Sequence, residues 1–527
     1  MNSLCYLASR VRRRAIALLF LLATASASLL VACATASEPI KLSQEPQLFL
    51  DDHLIADRRN LDRDVKQPTK HSANPVITPD KPWERRMIEL YGTVLFDEDT
   101  QSFRCWYLAS EHGAAQPEYY ICYAESEDGI HWQKPLVGDE PFGPYEQHNI
   151  VIRGGHGISI IKEPSDPDSQ RRYKAAGGDV FGTSPDGIHW TMENNRYAVR
   201  KNDTCSSLVR WKDEYLFFVR NQEPETGGTL HDPQTGKTWS GTMRGVGLCT
   251  SKDFRTWAEK RSVFRTDERD GFPWVQPHAL CVTAYGDALI GLLPIMKIIP
   301  DDGNNLMSTI SVQLMTSRDG RDWQRVADRA EFMPADKPEP KHRRNWDARF
   351  HPGANMFVHD DLVYIYYFGT NLLFGESNWQ EGRLRFGEGA QPAKPVEVER
   401  TFAEARPFGI GLATLPAERF VSLRPVNWEV EGVMQTRPLL ISGNQLLVNA
   451  DVAPADLHVA LLDAAGKPVP GFAHENSVAI AHDKLRHRIV WRNEACEQSL
   501  LQAATAEPLV LEFKISNGDL YAFQVTD

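Results

Sequence analysis

The chain has 527 residues, of which 42% are hydrophobic and 24% charged, and its formal net charge at pH 7 is −12. This length and composition exclude a disordered chain and leave enough apolar material for one large core and one smaller core. The negative charge argues against nucleic acid as a partner, because phosphates attract basic surfaces.

The first predicted element is a secretory signal over residues 1–32. Four arginines precede an apolar run that ends at Ala32, and Cys33 follows. This order is typical of exported proteins, and residues 30–33 resemble the lipobox of bacterial lipoproteins, in which the cysteine is acylated. We therefore expect a protein of the periplasm or outer membrane, held at the membrane only through a lipid on Cys33. A plain signal that is cut nearby is the alternative.

A seven-residue phrase then recurs through the chain. It reads SEDGIHW, SPDGIHW, SKDFRTW and SRDGRDW, and its four copies begin at Ser126, Ser184, Ser251 and Ser317. Repeats of this period with strand-like sequence between them predict units of four antiparallel strands. The Asp would accept backbone N–H bonds in a turn, the Gly would permit positive φ, and the Trp would seal neighbouring units. We expect these residues to be structural, because four equivalent sites cannot converge on one substrate.

The strand groups predict the fold class. Five groups begin near Leu90, His148, Thr204, Pro277 and Ala348. Sheets arranged radially leave only short exposed edges, so we predict an all-β chain with a five-bladed β-propeller over residues 45–427, with six blades as the alternative. The following text lacks the repeat phrase and has short alternating strands, which predict a β-sandwich accessory domain over residues 431–527.

Polar residues at the leading ends of the inner strands are the candidates for a functional site. In a propeller these ends open at one mouth of the central channel, so their side chains can converge on one ligand. The candidates of this kind are Glu89, His148, Asp203, Gln276, His278, Asp347 and Arg349. Asp51 and Asp52 precede them in a strand-like apolar frame and are held in reserve.

The cysteines carry no predicted function. Six follow the signal, at Cys105, Cys122, Cys205, Cys249, Cys281 and Cys496. None forms a C-x-x-C pair, and several lie in strand-like text, which favours buried thiols over disulfides or metal ligands. We expect no cofactor and no metal site. A structural calcium ion on the propeller axis stays open, although no compact acidic loop supports it.

Inner strands that open on carboxylates, outer hairpins with the repeat phrase, an export signal and a C-terminal sandwich together resemble the five-bladed β-propeller glycoside hydrolases. This group includes fructan-active family 32 and arabinan- and xylan-active family 43, and the resemblance covers residues 45–427. The family 32 motifs NDPNG, RDP and EC are absent. The start LFLDDHLIA and the closing LYAFQV also resemble a group of exported bacterial proteins described as family-32-like.

The resemblance implies a glycosidase that cleaves poly- or oligosaccharides outside the cytoplasm by carboxylate acid–base catalysis, and an exo-acting one. We expect Glu89 to be the general acid, because the apolar neighbours Ile88 and Leu90 would favour its protonated form. Asp203 or Asp347 would be the base or nucleophile. Two alternatives remain, a non-catalytic glycan-binding surface lipoprotein and a glycoside phosphorylase like the mannoside phosphorylases that share the propeller.

Substrate contacts are expected from a second group of residues. Its members are Asp52, His148, Trp274, His278, Arg344, Trp346 and Arg349. The imidazoles and guanidinium groups would bind hydroxyls or a charged substituent, and the indoles would offer flat faces to a sugar ring. The basic stretch KHRRNWDAR at 341–349 suggests an anion contact, with a solvated loop as the alternative.

Overall fold

The computed structural model describes residues 38–84, 87–110, 119–178, 180–193, 205–223, 229–231, 238–240, 243–272, 274–298, 308–336, 344–372, 408–492, 497–498 and 507–527. The predicted signal, Cys33, Asp203 and the basic residues Lys341, His342 and Arg343 lie outside the described residues. Regular structure in the described part is β-strand apart from short 3-10 helices at Pro82–Glu84, Ser169–Arg171, Glu268–Asp270, Ala327–Arg329 and His474–Asn476. The all-β prediction is confirmed. None of the described helices has the length and apolar character needed to cross a membrane.

Five antiparallel sheets, called sheets I to V, follow one another along the chain. Sheet I contains Met87–Asp97, Ser102–Ser110, Tyr119–Ser126 and Ile150–Arg153. Sheet II contains Ser159–Lys162, Tyr173–Gly177, Val180–Ser184 and Thr191–Glu193. Sheet III contains Ser207–Trp211, Glu214–Glu223, Met243–Ser251 and Arg261–Phe264, with a side hairpin of Thr229–His231 and Thr238–Ser240.

The last two sheets have divided inner strands. Sheet IV contains Val275–Pro277 and Cys281–Tyr285, then Ala288–Ile298 and Ser308–Ser317, then Gln324–Arg325 and Glu331–Met333. Sheet V contains Arg349–Pro352 and Phe357–His359, then Leu362–Thr370 and Gly409–Pro416, and finally Thr69–Lys70. Its outer strand therefore comes from the beginning of the chain.

The inner strands of the five sheets are joined in a closed cycle, which we call the hydroxyl ring. Each sheet contacts the next through a backbone N–H that donates to a Ser or Thr hydroxyl, and sheet V returns to sheet I through a backbone carbonyl. The bonds are Ile160 N to Thr93 Oγ1 (2.8 Å), Leu208 N to Ser159 Oγ (2.9 Å), Val282 N to Ser207 Oγ (2.8 Å), Met356 N to Thr283 Oγ1 (3.0 Å) and Ala354 N to Gly92 O (2.8 Å). Small polar side chains suit this place because buried strand N–H groups need acceptors.

The repeat phrase forms the turn between the third and fourth strands of sheets I to IV. In sheet II the Ser184 hydroxyl accepts the Gly187 N–H at 2.8 Å, and Asp186 Oδ1 accepts the next two backbone N–H groups at 2.9 Å. The Trp190 indole N–H donates to Gly187 O at 3.0 Å. These bonds fit the predicted structural role of the repeat phrase.

Each turn packs against the preceding sheet. The contacts are Trp132 on Tyr366, Trp106 Nε1 on Gly187 O, Trp257 on Phe181 and Trp323 on Phe218. The first of these places the turn of sheet I on sheet V. The turns therefore join, on the outside, four of the five pairs of sheets that the hydroxyl ring joins on the inside.

The remaining strands build a nine-stranded sheet with a core of its own and two short pairs. The nine-stranded sheet contains Gln47–Leu48, Ile55–Arg59, Leu61–Val65, Val421–Pro425, Gly432–Thr436, Gln445–Leu462, Ile480–Arg488, Val510–Ile515 and Gly518–Thr526. Ile40–Lys41 pairs with Leu439–Leu440, and Trp491–Arg492 pairs with Glu497–Gln498. The long strand Gln445–Leu462 pairs with Gly518–Thr526 over its first half and with Val510–Ile515 over its second.

Two sequence expectations differ from this architecture. The region 431–527 was expected to form its sandwich alone, whereas three strands between residues 47 and 65 belong to the same sheet. The second unit was expected to begin near His148, but sheet II begins at Ser159–Lys162. His148 precedes the fourth strand of sheet I, since a long connection follows the first repeat turn.

Candidate functional site

The leading ends of the inner strands bring buried charged residues together on the axis of the five sheets. Glu89 comes from the first strand of sheet I and Arg349 from the first strand of sheet V. Arg349 Nη2 lies 3.8 Å from Glu89 Oε1, and the side chains are 2% and 10% exposed respectively. The structure thus joins two of the predicted site residues. The guanidinium favours the ionised form of Glu89, which opposes the effect expected from its apolar neighbours.

Tyr91 lies at the centre of an aromatic cluster just below this pair. Its ring centroid is 5.3 Å from that of His156, 5.3 Å from that of His351 and 6.2 Å from that of His278. His278 and His351 are 4.9 Å apart. Sheets I, IV and V and the segment before sheet II therefore each place at least one ring at the axis, and the predicted residue His278 belongs to this cluster.

Two further arginines come from sheet III. Arg220 lies on its second strand and Arg244 on its third, and both are buried. Arg244 Nη1 lies 3.0 Å from Met296 Sδ. The pKa of Arg220 lies well below its ordinary value, mainly because the side chain is buried and secondly because Arg244 is near. Burial also lowers the pKa of Arg244 to about 10. With Arg349, three guanidinium groups surround the aromatic cluster.

The histidines of the cluster are neutral at physiological pH. Burial, with a smaller contribution from Arg220, lowers the pKa of His156 to about 4. Burial, followed by the positive neighbours, holds the pKa of His278 well below its ordinary value. Burial and then Glu89 raise the pKa of Tyr91 far above its usual range. Neutral imidazoles and a neutral phenol can donate and accept hydrogen bonds to sugar hydroxyls.

Asp347 is buried beside an outer part of sheet V. Its carboxylate accepts the Tyr367 hydroxyl at 2.8 Å and pairs with Lys70 Nζ at 2.7 Å. Lys70 lies on the outer strand of that sheet, and the Trp346 ring stacks on Tyr367 at 6.0 Å. Neither of these two contacts joins Asp347 to Glu89, Arg349 or the aromatic cluster. Its catalytic role stays a prediction.

Asp51 and Asp52 lie near the nine-stranded sheet. Asp51 Oδ1 is 3.0 Å from Arg318 Nη2, in the repeat turn of sheet IV. Asp52 is largely exposed and pairs with Arg63 at 2.5 Å. The Asp51 pair connects this region to sheet IV, and the Asp52 pair connects it to a strand of the nine-stranded sheet. These contacts suit a structural role better than the catalytic role for which the two acids were held in reserve.

His148 is used at both ring nitrogens by the surrounding backbone. Its Nε2 lies 2.8 Å from Glu140 O, and its Nδ1 accepts the Ile150 N–H at 3.1 Å. Because a carbonyl oxygen only accepts, Nε2 carries the proton. This arrangement holds the connection before the fourth strand of sheet I and leaves the imidazole no group for a substrate.

Two other residues were predicted to contact the substrate, Trp274 and Arg344. Trp274 packs with the side chains of Met243 and Met296, the latter in contact with Arg244. Arg344 Nη1 donates to Asn371 O at 3.3 Å. Trp274 therefore lies near Arg244, whereas Arg344 donates to a backbone carbonyl.

Sequence reasoning missed five residues of the site, namely Tyr91, His156, Arg220, Arg244 and His351. Tyr91 and His351 stand two residues after Glu89 and Arg349, so strand alternation could have placed them on the same face. His156 stands in the GGHG just before an apolar strand. Arg220 and Arg244 gave the weakest signal, a single charge in otherwise apolar strand text.

A separate cavity lies at the opposite ends of the inner strands. It has a volume of about 370 Å³ and lies between sheets IV and V and the nine-stranded sheet. Glu418, with φ of 69°, forms part of its wall, and Arg486 Nη2 lies 3.0 Å from Glu418 Oε1. Burial raises the pKa of this carboxyl. The aromatic cluster and this cavity thus lie at opposite ends of the inner strands.

No protein-family model matches the chain, and no curated protein matches it either. Solved structures with a similar backbone include a glycosyl hydrolase from Bacteroides ovatus, at 13% identity and a TM-score of 0.39, covering 72% of this chain and 98% of that one. The catalytic domain of the GH62 α-L-arabinofuranosidase of Coprinopsis cinerea has 11% identity and a TM-score of 0.38, covering 66% of this chain and 97% of that one.

A third similar structure comes from the GH130 family of mannoside phosphorylases, described as containing glycoside hydrolases that target β-1,2 mannosidic linkages in Candida mannan. It has 13% identity and a TM-score of 0.39, and covers 71% of this chain and 97% of that one. At scores this low the likeness carries no argument. The site itself must carry any assignment of function.

Proposed function

We propose that the five sheets are the blades of a β-propeller and that the protein is a glycoside hydrolase with its active site at the axis. The observation that carries this proposal is the buried pair of Glu89 and Arg349 above a cluster of neutral, hydrogen-bonding rings. A carboxylate with neutral donors and acceptors on a polar axis suits the binding and cleavage of a sugar.

Glu89 is assigned the role of base or nucleophile. Arg349 at 3.8 Å favours its ionised form, and hydrolysis of a glycoside requires an ionised carboxylate that activates water or attacks the sugar. Asp203, which precedes sheet III in the chain and lies outside the described residues, is proposed as the acid that protonates the leaving oxygen. This reverses the roles expected from the sequence, because the sequence did not place a guanidinium beside Glu89.

The substrate is proposed to carry a negative charge close to the bond that is cleaved. Arg349 and Arg220 interact electrostatically with Tyr91, Tyr91 interacts with Arg244, and Arg244 repels Arg220. Guanidinium groups bind carboxylate and sulfate through paired N–H donors. A uronic acid or a sulfated sugar would therefore be preferred to its neutral counterpart.

Phosphorolysis is the second candidate, because the same three guanidinium groups also suit inorganic phosphate. In that reaction the phosphate oxygen attacks the sugar, the glycosidic bond breaks and the leaving sugar takes up a proton. The product is then a sugar phosphate instead of a free reducing sugar. Secretion over residues 1–32 and lipidation at Cys33 remain proposals, and they favour hydrolysis, since sugar phosphates are of little use outside the cytoplasm.

The test is a product assay with neutral, uronic and sulfated oligosaccharides, with and without phosphate. We expect free sugar from the anionic substrates, and a loss of about 100-fold or more in Glu89→Ala, with partial recovery on addition of azide or formate. Arg244→Met should raise KM for anionic substrates more than it changes kcat. Glu98→Gln and Arg261→Met, both exposed, are the matched controls.

Each alternative has its own result. Sugar phosphate that forms only with phosphate would assign phosphorolysis. Binding without any product, unchanged in Glu89→Ala, would leave a glycan receptor. An Arg244→Met variant that loses neutral and anionic substrates equally would remove the charged-substrate proposal.

A further inference from the structure

Three buried side chains from neighbouring sheets meet beside the aromatic cluster, and one of them, His351, belongs to that cluster. Cys205 precedes sheet III, Cys281 begins the second segment of the inner strand of sheet IV, and His351 lies on the inner strand of sheet V. One ligand atom from each lies within 4.8 Å of the other two. Two thiols and an imidazole are the ligand types that Zn²⁺ takes in proteins. We call this group the thiol–imidazole cluster.

The imidazole of this cluster is in the tautomer that a metal ligand needs. His351 Nδ1 lies 2.6 Å from Pro352 O. The carbonyl oxygen can only accept, so Nδ1 carries the proton and Nε2 holds the lone pair. In the described part of the chain Nε2 is buried and meets no hydrogen-bond donor. Metal-bound histidines commonly donate their second ring N–H to a backbone carbonyl in this way.

The thiols complete the donor set with the right charge. Cys205 and Cys281 are 1% and 2% exposed and interact through their side chains. A divalent ion that displaces two thiol protons brings no net charge into the buried axis, which already holds several arginines. A buried site favours such a neutral assembly.

We propose that Cys205, Cys281 and His351 bind one Zn²⁺ ion. Two S–H bonds break, two Zn–S bonds and one Zn–N bond form, and two protons pass to solvent. A fourth position stays for water or another ligand. The ion would connect sheets III, IV and V across the axis and stabilise the ring. This revises the sequence-based expectation of inert thiols at Cys205 and Cys281, and it does not depend on the proposed glycosidase activity.

The test uses the full chain, reduced, treated with a chelator and then titrated with Zn²⁺ against a chromophoric competitor. We expect one equivalent to bind and the midpoint of thermal unfolding to rise with Zn²⁺ concentration. Cys205→Ser and His351→Gln should lose at least tenfold in affinity. Cys249→Ser is the matched control, because Cys249 is equally buried but lies outside the thiol–imidazole cluster.

A second measurement needs no variant. Titration of the reduced wild-type chain with Co²⁺ should give sulfur-to-cobalt charge-transfer absorption, which oxygen and nitrogen ligands alone do not give. The proposal is overturned if the wild type binds no more Zn²⁺ than Cys205→Ser. It is equally overturned if Co²⁺ gives no thiolate band, or if the protein isolated without reductant carries a Cys205–Cys281 disulfide that reduction does not convert into a zinc site.

Discussion

One residue of the repeat phrase departs from the pattern and shows what each position does. The third copy has Phe254 where the other copies have glycine, and Phe254 adopts φ of 58°, against 78° for Gly187. Phe254 is fully buried, and its ring lies 6.1 Å from that of Phe181 on sheet II. The left-handed turn is therefore kept at the cost of backbone strain. In the third copy the turn contacts the preceding sheet through the Phe254 ring, whereas in the second copy Trp106 of the preceding sheet contacts Gly187 of the turn.

Substitutions at Gly187 and Phe254 should both destabilise the protein, the first by adding a steric clash and the second by removing a packing contact. Gly187→Ala places a Cβ 2.7 Å from Trp106 Cζ2 at positive φ, and we expect a loss of about 2–4 kcal/mol in the free energy of unfolding. Phe254→Gly relieves about 1 kcal/mol of strain but removes a buried ring worth about 3–5 kcal/mol. Urea unfolding measures both. A more stable Phe254→Gly variant would contradict the packing role.

The histidines show why individual site residues resist prediction from sequence. His148 stands directly before an apolar strand and was expected at the axis, but its strand is the outermost of sheet I. His156 also precedes an apolar strand and does reach the axis. Locally the two contexts look alike. The difference is the position of each strand in its sheet, which is fixed by distant pairing.

A titration at His156 should appear in the pH dependence of stability. Its ring contacts Tyr91 and Tyr119, Arg220 is the charged group that faces it, and its pKa is lowered from 6.5 to about 4. Between these values the unfolded chain binds a proton that the folded chain does not, so stability falls as the pH is lowered and is unaffected above 6.5.

His156→Phe should reduce the slope of unfolding free energy against pH in this window by up to about 1.4 kcal/mol per pH unit. Urea unfolding at several pH values between 4 and 7 is the measurement. The exposed Val426→Ala variant removes no titratable group, so it is the control and should keep the wild-type slope. Equal slopes in all three proteins would show that folding does not lower the pKa of His156.

At the scale of the element, the inner strands depend on single hydroxyls. Ser207 Oγ accepts the Val282 N–H at 2.8 Å and lies 2.8 Å from Ala354 O, and thus reaches sheets IV and V at once. Its neighbours in the hydroxyl ring each join one pair of sheets. A strand residue of modest size therefore positions three of the five sheets relative to one another.

Ser207→Ala should cost about 1–3 kcal/mol, because the buried Val282 N–H is left without its acceptor. Ser262→Ala, an exposed change on the outer strand of the same sheet, should be neutral within about 0.5 kcal/mol. Chemical denaturation of the two variants gives the comparison. Similar values for both would mean that water replaces the hydroxyl in the ring.

The repeat turns could be predicted from the sequence because the bonds that shape each turn are local. Ser, Asp, Gly and Trp act within seven residues, so the phrase alone fixes the turn. Glu89 and Arg349 were also found, because each begins an inner strand. Arg220 and Arg244 could not be found, since they reach the axis from the second and third strands of sheet III, and only the closed ring brings them there.

The whole molecule is tied together by its first strands. Thr69–Lys70 completes sheet V, and the strands between residues 47 and 65 lie within the nine-stranded sheet. Phe49 packs against Phe513 and Phe523 in the core of that sheet. The two parts of the chain that the sequence separated at residues 427 and 431 therefore share strands and a core.

A fragment of residues 45–427 should not fold as a stable monomer. It would expose Phe49, Leu61 and Leu423, which are covered by strands from the last hundred residues. Fragment 38–527 is the control and should unfold cooperatively on heating. Thermal unfolding followed by tryptophan fluorescence is the measurement, and a fragment 45–427 with the same midpoint as the control would show that the propeller is independent of its accessory sheet.

The pairing of Gln47 with Phe523 also bears on how the chain reaches its folded state. The strand at residue 47 is made early in synthesis, and its partner at Phe523 is made only after the five sheets. Loop closure over such a distance is slow, so the nine-stranded sheet is completed only after the five sheets have been synthesised. Until then its first strands lack their partners, and an unpaired strand edge is the condition in which a nascent polypeptide most needs a chaperone.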